Sequence, residues 1–299
     1  MSTIQAYSDA TRPAASASNV GLTIFNTTTK DINVSDGTGW RVYEDDGTTA
    51  NTLSLEFDGS DRLDTTYQST SGGNDFTISF WMKSSGTGAT YQDIFRDDTG
   101  SSWGRLTLLT TPGASSPFYL RYGTATGNNV NGAIGVGTIY DNAWHHIAIV
   151  LDNSGTYTNI KIYKDGNTTP VYNADATTAN GWVNNGKQSA NSQTNYLIGS
   201  TSTHAYPYTG KLDQVAFFGS ALTTQNITSI YNGADIMGLS LSPEAYYRMG
   251  YQFGDTNSDG SVASAGQDIG TVADYSGNGY DASQTTSSKK PNYVADPAS

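Results

Sequence analysis

The stretch 255–262, DTNSDGSV, sets oxygen-bearing residues at alternate positions: Asp255, Asn257 and Asp259, then Gly260 and Ser261. Alternating oxygens folded back by a glycine can wrap a hard cation such as Ca²⁺. The twelfth position, where a bidentate glutamate would close such a loop, is Gly266, with Asp268 two residues on. A polar Asp/Gly turn accounts for the same residues without a metal. The sequence therefore names Asp255, Asn257, Asp259 and Ser261 as candidate metal ligands, with Ca²⁺ the cation and no cofactor required. Asp58, Asp61 and Asp213 stand near strand ends and rank below them, because Asp-Gly and Ser-Asp steps are ordinary turn residues.

Catalytic chemistry finds little to use. Hydrolysis of a glycosidic bond needs two carboxylates facing one cleft, and the glutamates are Glu44, Glu56 and Glu244 alone. The strand-like run KLDQVAFF carries Asp213 by itself. No G-x-S-x-G nucleophile motif is present. His145 and His146 are adjacent on a strand, so they point to opposite faces and cannot share a metal; His204 is isolated in a loop. The expectation is a protein that is not an enzyme. The remaining candidates are aromatic. Tyr91, Tyr122, Tyr140, Trp182, Tyr206 and Tyr208 lie in or beside loops, where ring faces can stack on sugars. Trp182, Tyr206 and Tyr208 are the candidate glycan or partner contacts.

The elements that must position these residues are strands. Leu53, Leu55 and Phe57 alternate with polar residues, as do Phe76, Ile78, Phe80 and Met82. AWHHIAIVLD is apolar on both faces and reads as a central strand. TNIKIYKDGN, TNYLIGS and GKLDQVAFFGS complete the set, while Gly123–Gly137 and Ala174–Gln193 read as long loops. A single helix is expected, capped by Thr223 or Thr224 and stopped at Gly233. This is an all-β, antiparallel jelly-roll sandwich. Three segments are expected: an N-terminal arm and β-hairpin unit over 1–50, the jelly roll over 51–238, and a C-terminal segment over 239–299. In the last, Tyr246, Tyr247 and Met249 dock back on the sandwich ahead of a loop-like tail.

Composition narrows the class. The chain has 299 residues, a net charge of −12 and only 14% charged residues, with 20 Tyr and 33 Gly. Fifteen basic residues against 27 acidic ones leave no electrostatic footprint for nucleic acid. No apolar run approaches a membrane span, and the N-terminus has no basic-then-apolar leader, which predicts synthesis without a cleavable export signal. The absence of cysteine excludes disulfides and thiolate chemistry and favours assembly in a reducing cytoplasm.

Family resemblance enters at FDGSD (57–61), FTISFW (76–81), WHHIA (144–148), IYKDG (162–166), YLIG (196–199) and GKLDQV (210–215). Their order resembles laminin-G-like, concanavalin A-like jelly rolls, and ALTTQNITSIYNG resembles that family's closing helix. AYYRMG (245–250) and ADYSGNGYDAS (273–283) are similar to the family's opening segments, here placed last. VGLTIFNTTTKDINVSDGTGWRVY (20–43) resembles a hairpin of bacteriophage tail-fibre and virion proteins. These resemblances imply a structural protein of a tailed-phage virion, as capsid decoration or as a tail or fibre component, assembled in the host cytoplasm. They imply attachment to other virion proteins through the N-terminal region, a jelly roll displayed toward host glycans, and a homo-oligomer such as a trimer. The alternative they leave is a Ca²⁺-assisted carbohydrate-binding module or adhesin.

Overall fold

The structure is a computed structural model. It describes the chain outside 1–4, 19–21, 27–31, 36–39, 44–51, 70–74, 87–90, 98–105, 111–117, 124–128, 156–157, 176–194, 251–253 and residues 9, 12, 15, 17, 204 and 299. Two compact units result, Met1–Ala50 and Asn51–Ser299. In the first, β1 (Gln5–Tyr7), β2 (Thr23–Asn26), β3 (Ile32–Ser35) and β4 (Trp40–Tyr43) form a four-stranded sheet in sequence order, with β1 parallel to β2 and the rest antiparallel.

The second unit is the sandwich. Its strands are β5 (Ser54–Asp58), β6 (Leu63–Thr65), β7 (Phe76–Lys83), β8 (Gln92–Asp97), β9 (Leu106–Thr110), β10 (Phe118–Gly123), β11 (Asn129–Ile134), β12 (Trp144–Asp152), β13 (Asn159–Lys164), β14 (Tyr172–Asp175), β15 (Tyr196–Ile198) and β16 (Thr209–Phe218). After the helix α1 (Thr224–Tyr231) come β17 (Ala245–Tyr247), β18 (Thr256–Asn257), β19 (Ile269–Val272), β20 (Ala282–Ser283) and β21 (Asn292–Val294). One sheet runs β11-β10-β9-β8-β15-β6-β20-β19-β18; the other runs β14-β13-β12-β7-β16-β5-β21, with β17 beside β16.

Alternation decides what the sheets enclose. Leu55 and Phe57 are buried while Glu56 and Asp58, alternating with them, are exposed, as a period of two requires. Rings from both sheets meet in the core: Phe80 and Phe95 lie edge-to-face at 4.8 Å, and Phe95 meets Phe217 at 5.8 Å. The eight-stranded sheet is covered on its far face too. Ala148, Val150, Tyr163, Ala216 and Phe218 pack there against Leu222, Ile227 and Ile230 of the helical segment. This explains why β12 is apolar on both sides. Thr223 caps α1, its side chain accepting from the Asn226 N–H while the Asn226 side chain accepts from the Thr223 N–H.

Two expectations change. Within the stretch expected as a loop over 123–137, residues 129–134 form β11, which pairs with β10 from Phe118↔Ile134 to Gly123↔Asn129. Backbone pairing along the open edge of β10, with Ile134 in the core, outweighs the low strand propensity of Asn and Gly. In the C-terminal segment 239–299, which lies in the same compact unit as the jelly roll, it is the loop-like tail that changes. Its loop-like residues supply β18, β19 and β20 to one sheet and β21 to the other. Among the described residues no helix is long and apolar enough to cross a membrane.

Candidate functional site

Tyr91, Tyr119 and Tyr206 form an aromatic group at one end of the nine-stranded sheet, with Tyr91 and Tyr206 exposed and Tyr119 half-buried. Phe118 and Leu120 enter the core, so Tyr119 between them stands on the outer face of β10. The ring of Tyr91 meets that of Tyr119 at 6.3 Å and 70°, and that of Tyr206 at 6.2 Å and 89°. Tyr91 is 42% and Tyr206 41% exposed. The loop carrying Tyr206 is fixed. Asp93 N–H donates to the Tyr206 carbonyl at 2.8 Å, Tyr208 N–H to the Gly199 carbonyl at 2.7 Å, and Ala205 N–H to Thr201 Oγ1 at 2.9 Å. Tyr206 itself is held at φ 62°, a conformation uncommon for a large side chain. Asp93 is in turn paired with Arg96 at 3.0 Å, both buried. Rings set at right angles on a rigid loop can cradle the apolar face of a sugar while their hydroxyls stay in water.

Of the aromatic contacts read from sequence that are described, Tyr206 is exposed. Tyr208 is corrected: it is fully buried, its ring edge-on to Phe57 at 6.0 Å, and offers no face to a ligand. The reason is the backbone: Tyr206, at φ 62°, turns the chain just before β16 and stays outside, whereas Tyr208 is in phase with the inward-facing Leu212 of that strand. Trp182 lies outside the described residues. Tyr140 packs against the core. Tyr119 was missed because it sits inside a strand; its signal was its place between two core residues.

The oxygen-rich loop closes on itself. Asp255 is buried, and its two carboxylate oxygens accept from Gly250 N–H at 2.6 Å and Ala273 N–H at 2.8 Å. Asn257 turns its amide N–H₂ to Ser261 Oγ, the Val262 carbonyl and Ser264 Oγ, and its oxygen accepts from Ser264 N–H. Asp259 accepts from the backbone and hydroxyl of Ser261. Hydrogen-bond donors therefore already engage both Asp255 oxygens, the Asn257 oxygen and one Asp259 oxygen. Among the described residues no group of three or more His, Asp or Glu side chains is arranged to hold a metal.

Asp58 and Asp61 shape the turn after β5. Ser60 donates to Asp58 through its N–H and hydroxyl, both at 2.7 Å, and Asp58 N–H donates to Asp61 at 2.8 Å. The Ser60 hydroxyl pulls the Asp58 carboxyl down. Burial, then the Asp58 and Asp268 charges, push Asp61 up to about 7. The split resembles an acid and an ionised partner, but Asp61 is 5% exposed and serves the turn. Asp213 is sealed and its carboxyl is raised by burial, with Ala298 N–H as a donor. Glu244 accepts from Tyr67 Oη at 2.5 Å. Glu44 and His204 lie outside the described residues.

The histidines take separate roles. His145 sits between Asp165 (Nδ1, 2.9 Å) and Asp141 (Nε2, 3.1 Å). The Asp165 hydrogen bond raises its pKa. His146 points to the other face, bonded to Ser79 Oγ and tilted against Trp81; burial lowers it to about 4.

This architecture has relatives. Residues 57–228 match the laminin-G-type sequence profile of the concanavalin A-like lectin/glucanases superfamily. No curated protein matches the chain. A Bacteroides ovatus protein proposed to bind carbohydrate superposes with a TM-score of 0.53 at 18% identity, over 83% of this chain and 61% of that one. This chain thus spans about three fifths of that protein's length. A heptameric pentraxin from Limulus polyphemus (TM-score 0.43, 13% identity, 60% of this chain and 82% of that one) and domains LG4-5 of the mouse laminin α1 chain (0.41, 11%, 59% and 44%) are more distant. At these identities the likeness is one of fold. Since the matched profile covers more than half of the sequence, the chain belongs to the concanavalin A-like lectin/glucanases superfamily.

Proposed function

We propose that the chain is a non-catalytic structural protein of a bacteriophage virion, displaying a carbohydrate-contacting jelly roll. The observation that carries the carbohydrate reading is the Tyr91–Tyr119–Tyr206 group, in which exposed Tyr91 and Tyr206 flank half-buried Tyr119 and backbone hydrogen bonds tie down the Tyr206 loop. The fold family and the carbohydrate-binding proposal attached to the Bacteroides ovatus protein support it. The virion role rests on the sequence resemblance of residues 20–43 to phage hairpins, and the separate four-stranded unit over 1–50 is the attachment element. Display as a homo-oligomer, a trimer in the simplest case, multiplies weak sugar contacts by avidity.

A glycan array on the purified chain tests the first part. Saturable binding should appear and fall about tenfold when Tyr91 and Tyr206 are both replaced by alanine, the loss of two stacking contacts at about 0.5–1.5 kcal/mol each. Binding undiminished in that variant rejects the tyrosine site. Imaging of phage particles with the N-terminus labelled tests the second part: label on an ordered lattice or appendage is expected, and its absence from particles rejects the virion role.

A further inference from the structure

A second surface collects donors around a carboxylate. One row of the eight-stranded sheet runs Asn292, Glu56, Lys211, Lys83 and Trp144 across β21, β5, β16, β7 and β12. The adjoining Leu55, Leu212 and Met82 enter the core, so the row faces outward. There Asp296 lies across three strands. Its carboxylate accepts from Lys83 Nζ at 2.9 Å, from Trp144 Nε1 at 3.2 Å and from Lys211 Nζ. Burial alone would raise this carboxyl; the Lys211, Lys83 and Trp144 hydrogen bonds bring it down to about 2. Lys211 and Lys83 are directly paired on adjacent strands. Like charges so placed repel, so the position calls for an anion between them.

The tail that supplies the anion is lightly held. Tyr293 is fully buried, but Val294, Ala295, Asp296, Pro297 and Ala298 are half-exposed or exposed. Past Val294, the end of β21, the main chain is tied to the sheet by Ser54 Oγ donating to the Asp296 carbonyl at 2.8 Å and by Ala298 N–H donating to Asp213 at 2.9 Å. Segments without buried apolar side chains open at the low end of the stability range. Lifting this one uncovers the two lysines and the Trp144 indole; Trp81, in the next row beside Asp213, stays stacked under Tyr231 of α1. The Trp144 indole beside two ammonium groups complements a sugar ring that itself bears a carboxylate. A uronic acid carries its carboxylate on the same ring that would lie against the Trp144 indole, which favours a carboxylate-bearing saccharide over a peptide.

We propose that Lys83, Lys211 and Trp144 form a recognition site for an acidic saccharide of the uronic-acid class, with Asp296 as its tethered occupant. The proposal takes its ligand class from the carbohydrate reading but uses none of the tyrosines. Asp296→Ala and Asp296→Asn are titrated with an oligogalacturonate, a neutral oligosaccharide of equal length and an acidic peptide. Both variants should bind the oligogalacturonate about tenfold or more tightly than the parent chain, since removing a tethered competitor raises the competent fraction. Added salt should weaken this binding, and adding Lys83→Ala and Lys211→Ala should abolish it. Thermal melts confirm which variant is folded. No saturable binding by a folded variant overturns the proposal. Equal binding of the neutral sugar overturns the carboxylate clamp, and preference for the peptide overturns the saccharide class. Replacing Tyr91 and Tyr206 separates the two readings: clamp binding persists there even if the tyrosine site fails.

Discussion

Replacing Asp61 by asparagine should stabilise the protein at neutral pH, and the gain should grow with pH. The carboxyl is 5% exposed and is raised from 3.8 to about 7, by burial first and by the neighbouring Asp58 and Asp268 charges. A carboxyl raised on folding binds more protons in the folded state than in the unfolded one. Stability is therefore full below the unfolded value of 3.8 and falls as pH rises to about 7, where the loss levels off. At about 1.4 kcal/mol per tenfold change in ionisation, the loss approaches about 4 kcal/mol above neutrality. Asparagine carries no charge to bury, and its carbonyl can still accept from Asp58 N–H, which donates to Asp61 at 2.8 Å. Between about pH 4.5 and about pH 8 the stability gap between variant and parent should widen by about 2–3 kcal/mol. Urea unfolding followed by tryptophan fluorescence measures it. A gap that stays constant with pH, or a variant less stable than the parent at the higher pH, would show that burial of this carboxyl is not what raises it.

Three further outcomes follow from the same geometry. His145 has a raised pKa because Asp165 and Asp141 accept from its ring; its contribution is complete below the unfolded value of 6.5 and is lost as pH rises through the higher folded value. His145→Gln should thus cost about 1–3 kcal/mol at about pH 5.5 and clearly less at about pH 9, read as the pH dependence of the difference in melting temperature. Chelation with EDTA should leave the melting temperature unchanged, because backbone N–H donors already engage both Asp255 oxygens and the Asn257 oxygen; a rise on adding Ca²⁺ would reinstate the loop as a metal site. Gly199→Ala should destabilise by about 2–4 kcal/mol, since Gly199 has φ 87° and a Cβ there would lie 2.4 Å from the Phe57 ring; calorimetry checks it.

What the sequence disclosed depended on periodicity. The apolar alternation of β5, β7 and β12 was legible because each strand buries at least one continuous face, and the α1 cap was legible because Thr and Asn carry local hydrogen-bonding chemistry. Strands β18, β20 and β11 were not. The first two are two residues long, too short to show a period, and β11 has Asn and Gly where side chains would mark a face. Their pairing is set by a neighbouring strand edge, which is tertiary information. The candidate site divides in the same way. Tyr206 could be named because loop aromatics stand out, whereas Tyr208 was misassigned by falling on the inward phase of the strand that follows.

The Asp296 clamp shows most sharply where sequence reading stops. Its members lie at 83, 144, 211 and 296, and each alone is unremarkable: two lysines at strand positions, an indole at a strand start and an aspartate in a tail without regular structure. Register brings them together. Lys211↔Lys83 and Lys83↔Trp144 are direct pairs, and β21 pairs with β5 at Val294↔Ser54, delivering Asp296 two residues later. A one-residue slip of β16 would turn Lys211 inward and Leu212 outward, so the same core packing that fixes the sandwich also fixes the clamp. The chemistry of this surface is thus a consequence of strand pairing. A search for acidic-ligand sites in related chains should follow paired strand positions instead of sequence motifs.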